Sequence, residues 1–125
     1  MTAKVPEELH RLIAAAINAG DVDAYADLHE PDATAIFPTD GSIVHGRAEM
    51  RAALRPVLAL TPRIENTVAG KLERDGLALT HARWALTASE SDGQVIELGG
   101  VGTIVSRRQP DGLWRIALAN TLSPG

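Results

Sequence analysis

His29, His45 and His81 are the side chains best suited to moving a proton near neutrality, because an unperturbed imidazole titrates there. Each also has a plain structural role. His29 is expected at the end of a helix, where its ring meets the last carbonyls. His45 precedes Gly46 and supports a turn into a helix. His81 alternates with Leu79 and Arg83 on one strand face, which suits an outer surface or a dimer contact. A metal site needs converging ligands, and "HEPD" at residues 29 to 32 does not bring its ring and carboxylates to one helical face. No metal is expected. The chain has no Cys, which removes thiolate chemistry and disulfides. Nothing matches a phosphate loop, a nucleophile elbow or a dinucleotide fingerprint, so no cofactor is expected. The net charge is −4, and of the scattered basic residues only Arg107 and Arg108 are adjacent. Nucleic acid binding rests on clustered phosphate contacts, which such a distribution does not supply.

The elements that must position these residues read as helices first and strands after. Pro6 suits a first helical position, and Leu9, Leu12, Ile13, Ala16 and Ile17 form one apolar stripe, predicting a helix over 6–19. Gly20 stops it and Asp21 caps a short second helix with Val22, Tyr25 and Leu28 inward. Pro31 ends that helix. Ala33 to Phe37 and Ser42 to Val44 read as short strands around a Thr39-Asp40-Gly41 turn. Gly46 opens a third helix with Met50, Ala53, Leu54, Val57 and Leu58 on one face, and Pro56 is expected to kink it or end it near Leu54. From Pro62 on, four long β-prone segments are separated by Asp75-Gly76, Asp92-Gly93 and Asp111-Gly112, a strong hairpin signal. The order gives an α+β class, and 125 residues fit one domain over 1–125. Gly99, Gly100 and Gly102 inside one strand mark a place where the sheet bends or is closely approached. No stretch nears the roughly 20 apolar residues of a membrane span, and the N-terminus "MTAKVPEELHRL" lacks an apolar run of leader length. A cytoplasmic protein without membrane contact is the expectation.

The run "AINAGDVDAYADLHEPDATAIFPTDGSIVHGRAEMRAAL", followed by "VSRRQPDGLWRI", resembles the SnoaL-like and ketosteroid-isomerase-like proteins of the nuclear transport factor 2-like fold. The helix pair "AGD…DA…PDA", the "HGR" helix start and the final "DGLWR" hairpin carry the likeness, which covers nearly the whole chain. It implies a cone-shaped α+β fold: three N-terminal helices on a curved, mostly antiparallel sheet that encloses a pocket. It also implies a homodimer through the sheet's outer face. The isomerase chemistry of that family uses a carboxylate base, with a Tyr and a protonated acid at the dienolate oxygen; ketosteroid isomerase is itself the standard worked example of such tuning. At the positions matching the base, the oxyanion Tyr, a supporting Tyr and the acid, this chain has Phe37, Ile13, Leu54 and Ile104. None of the four can hold a proton. Asp40, three residues beyond Phe37, reads as a solvated turn residue. The polyketide-cyclase branch relies on an acid in the last strand, where Trp114 to Thr121 offers only Asn120.

The resulting expectation is a small-molecule binding protein with an apolar pocket and a small apolar ligand. Ile13, Tyr25, Phe37, Leu54, Trp84, Leu98, Gly100, Gly102 and Ile104 would line that pocket. Two alternatives stay open: a cofactor-free isomerase or polyketide-type cyclase of secondary metabolism, and a non-catalytic dimerisation module. The last would follow if Phe37 and Trp84 both fill the cone. Arg47 is expected to pair with an acid near the helix pair.

Overall fold

A computed structural model describes residues 2–37 and 41–124. Three helices, α1 (Glu8–Ala19), α2 (Val22–Asp27) and α3 (Arg47–Leu58), accompany six strands: β1 (His29–Ile36), β2 (Ile43–His45), β3 (Arg63–Arg74), β4 (Leu77–Ser89), β5 (Val95–Arg108) and β6 (Trp114–Pro124). The strands form one sheet in the order β2-β1-β6-β5-β4-β3, antiparallel throughout except for the β1–β6 pair. The helices pack on one face. The fold is the expected α+β arrangement, and β3 to β6 form the expected meander. The 39–40 part of the expected turn, Asp40 included, lies outside the described residues.

Local chemistry accounts for most boundaries. Gly20 takes a left-handed conformation (φ 68°) that closes α1, with its N–H on Ile17 and the next N–H on Ala16. The Asp21 carboxylate accepts from the Ala24 N–H at 2.9 Å and starts α2. Asp75 and Gly76 both have positive φ, 52° and 78°, the two-residue turn that matches strand twist. Three expectations need correction. Helix α2 stops at Asp27, and β1 starts at His29 rather than at Ala33. The cause is non-local: His29 pairs with Ile116, the Leu28 carbonyl accepts the Ile116 N–H, and Pro31 falls in the irregular stretch between His29 and Thr34. Helix α3 also runs through Pro56 to Leu58. Burial of Leu54 and Val57 against the core holds the turn that Pro56 weakens.

Helix α1 is fastened to the edge strand by side chains. Asn18 donates to the Ile64 carbonyl (2.9 Å) and accepts from the Ile64 N–H (2.7 Å), while Asn66 donates to the His10 carbonyl (2.7 Å). The Asn18 amide thus stands in for the missing neighbour of β3. Replacing Asn18 with Ala is expected to cost about 2 kcal/mol in urea unfolding, because two backbone groups lose their partner. A cost under about 0.5 kcal/mol would mean that water replaces the clamp.

Candidate functional site

The meander places side chains in rows. On the helix-covered face, β4 presents Ala78, Thr80, Ala82, Trp84, Leu86 and Ala88, opposite Ser106, Ile104, Gly102, Gly100, Leu98 and Ile96 of β5. Ile13, Tyr25, Phe37, Leu54, Trp84 and Ile104 are all buried and belong to one continuous apolar core. Gly102 is buried and Gly100 half-buried. Leu98 differs: it shares their face but is 56% exposed. It lines an open cleft of about 550 Å³ with Asn18, Ile64, Leu86, Thr87 and Glu97. Of the nine expected lining residues, Leu98 is therefore the one that reaches this cleft.

His29 is fully buried. Its Nδ1 donates to the Tyr25 carbonyl at 2.8 Å, the helix-end contact expected from sequence, although His29 itself opens β1. That bond fixes the tautomer and leaves Nε2 as a lone-pair acceptor with no hydrogen-bond partner. Burial pushes the ring down to about 4, and the nearby Arg47 charge adds to the effect. The Tyr25 ring lies 5.0 Å from the His29 ring and meets Phe37 edge-on at 6.4 Å. Burial raises the Tyr25 phenol above its ordinary value, so it stays protonated.

Among the described residues Arg47 pairs with no acid, contrary to expectation. It donates from Nε (3.0 Å) and Nη2 (2.6 Å) to the backbone carbonyl of His29. Arg51 instead reaches Asp23 at 3.0 Å. In "HEPD", Glu30 accepts from Arg107 (3.0 Å) and Gln109 (2.9 Å), which occupies its carboxylate. The His45 ring meets the Thr34 hydroxyl at 2.9 Å, and the His45 backbone N–H donates to the Glu49 carboxylate at 3.0 Å, supporting the turn into α3. His81 lies on the uncovered face over Gly70, where a Cβ would come within 2.5 Å of its ring. Among the described residues no three His, Asp or Glu are grouped to hold a metal.

His10 was not singled out from sequence. It is buried on α1, three residues before Ile13 and seven before Ile17, so the apolar stripe already placed it inward. Its Nε2 bonds the Thr80 hydroxyl at 2.8 Å, and burial pushes it down to about 4. Among the described residues three buried side-chain polar atoms lack protein partners: His29 Nε2, Trp84 Nε1 and Ser106 Oγ.

The SnoaL-like domain model matches residues 9–116. The chain belongs to the SnoaL-like family. No curated protein matches it. Solved structures share its fold. A ketosteroid isomerase-like protein from Erwinia carotovora atroseptica superposes with TM-score 0.80 at 16% identity, covering 94% of each chain. A protein of the NTF2-like family from Streptomyces avermitilis gives 0.77 at 17% identity, covering 95% of this chain and 93% of that one. A protein of unknown function from Mycobacterium tuberculosis gives 0.73 at 24% identity, covering 92% and 67%. At these identities the likeness is one of fold. The SnoaL-like chain thus has its family's architecture, and Ile13, Phe37, Leu54 and Ile104 are packed core side chains in it. No helix among the described residues is long and apolar enough to cross a membrane.

Proposed function

We propose that this SnoaL-like protein binds a small, largely apolar molecule and performs no acid–base chemistry on it. The observation that carries this reading is the open cleft of about 550 Å³ with Ile64, Leu86 and Leu98 as its apolar side, the Asn18 amide beside them, and Arg63, Glu65 and Glu97 also in its lining. That volume lies within the usual range for small-molecule sites. The binding residues move outward from the expected set: Leu98 stays, while Ile13, Phe37, Leu54 and Ile104 act as the packed core behind it. The non-catalytic part rests on those four apolar side chains and on His29, a base weakened to about 4 that lies well below a useful operating range. A thermal-shift screen of cyclic ketones and hydrocarbons tests the reading, since a ligand at about 100 times its Kd adds roughly 2.7 kcal/mol. Leu98→Glu should remove the shift without lowering the basal Tm, because Leu98 is exposed. No shift across the panel would end the binding reading. Proton exchange at the α-carbon of a β-keto ester would instead favour a cofactor-free isomerase or cyclase.

A second reading, a non-catalytic dimerisation module, is favoured by the burial of both Phe37 and Trp84 in the core. A homodimer suits either reading. On the uncovered face Ile36, Ile43 and Leu118 are exposed around an apolar hollow of about 280 Å³. Leu79 and Val101 extend the apolar surface on that face. Sedimentation equilibrium is expected to return twice the chain mass, and Leu118→Glu to return it to the monomer.

A further inference from the structure

We propose that a hollow of about 310 Å³ at the start of β6 binds a small organic carboxylate between Arg115 and Arg47. It shares no lining residue with the Leu98 cleft and is a separate site. Two different segments take the edge of β6 here. The Trp114 N–H donates to the Ala3 carbonyl and, two residues on, the Ile116 N–H donates to the Leu28 carbonyl, both at 2.8 Å. The hollow lies between these segments. Buried Leu28 and Trp114 contribute apolar wall, and its polar groups are Arg47, Arg115, Asp27 and Thr2.

Both arginines are half-buried, and neither has a carboxylate. Acids are not scarce, since the chain has 16 Asp and Glu against 12 Lys and Arg. Neighbouring arginines do find them. Arg107, opposite Arg115 on β5, has Glu30 at 3.0 Å, and Arg51, a turn beyond Arg47, has Asp23 at 3.0 Å. Among the described residues the Arg115 guanidinium has no hydrogen-bond or ion-pair partner. Arg47 has the His29 carbonyl, which occupies part of its N–H fork, leaves its charge unbalanced and holds it in place before a ligand arrives. An arginine leaves water mainly when it is paired, because an uncompensated charge away from water is costly. The hollow has the volume for the missing partner. A planar carboxylate suits it, because a guanidinium meets two oxygens side by side. Asp27, which lies 4.0 Å from Arg51, adds one negative charge to the two positive ones of the lining. A monoanion balances that sum, and a doubly charged phosphate overshoots it.

Cyclohexanecarboxylate is the probe and cyclohexanecarboxamide its neutral control, with binding measured by calorimetry in low salt near neutral pH. The carboxylate is expected to bind about tenfold more tightly than the amide. Arg115→Gln should abolish that preference. Because it deletes a charge without a partner, it should leave the Tm of the free protein unchanged or raise it. Equal affinities for the two probes, no carboxylate binding at about 10 mM, or an affinity that survives Arg115→Gln would overturn the proposal. Leu98→Glu should leave carboxylate binding intact; its loss there would put the probe in the other cleft and overturn this site alone. Inorganic phosphate binding more tightly than the carboxylate would overturn the ligand class. If Arg115→Gln does not fold, Arg115→Lys decides: it keeps the charge but not the planar fork, so the carboxylate should weaken about threefold or more, and an unchanged affinity would overturn the assignment.

Discussion

Acidification from about pH 7.5 to about pH 5 is expected to cost this fold roughly 4 kcal/mol, about 2 from each of His10 and His29. Both rings are buried and pushed down to about 4 from an ordinary 6.5. Between those values the unfolded chain takes up protons that the folded chain refuses. Their contribution is therefore intact above the unfolded value and is lost as pH falls toward 4. Glu7 is held below its ordinary 4.5 by a backbone hydrogen bond and then by Lys71, so its contribution is lost only at lower pH. The window between neutrality and pH 5 thus belongs to the two histidines. Against a total stability of about 5–15 kcal/mol the loss is large. Urea unfolding at a series of pH values checks it. His10→Gln keeps a nitrogen for Thr80, and His29→Asn keeps a donor for the Tyr25 carbonyl. The pair should flatten the profile. A wild-type stability unchanged between neutrality and pH 5 would contradict the burial of neutral rings.

Ile104→Ala is expected to cost about 4 kcal/mol and to lower the Tm by well over ten degrees. Ile104 is 0% exposed and lies between Thr80 of β4 and Ala119 of β6. Removing its outer carbons from a close-packed region leaves a cavity that neighbours cannot refill cheaply. The same side chain lining an empty ligand pocket would already lack packing partners on one side, and its truncation would cost only about 1 kcal/mol. The measurement therefore separates a filled cup, with ligand confined to the Leu98 cleft, from a hollow one reaching Ile104. Ile104→Asp tests the matching chemistry. An unpaired carboxylate in that place should prevent stable folding rather than restore proton transfer.

The first helix, its Gly20 stop, the Asp21 cap and the Asp-Gly turns were readable because each depends on residues within one turn or hairpin of one another. Strand parity on β4 was readable for the same reason: alternation is a local property, and it put His81 with Leu79 and Arg83 on one strand face before any contact was known. Of the seven large side chains expected to line a pocket, Ile13, Tyr25, Phe37, Leu54, Trp84 and Ile104 are buried in the core and Leu98 is exposed. Their roles depended on which rows the helices cover. Ile104 and Leu98 share a strand face, yet one is sealed and the other open, because the apolar packing that closes over Ile104 leaves Leu98 uncovered. The start of β1 at His29, the Arg47 bond to a backbone carbonyl and the stranded N–H of Trp84 arise from groups far apart in the chain. Periodicity and turn chemistry act over a few residues. Which buried donors find acceptors is decided when distant strands pair and the volume between sheet and helices is filled.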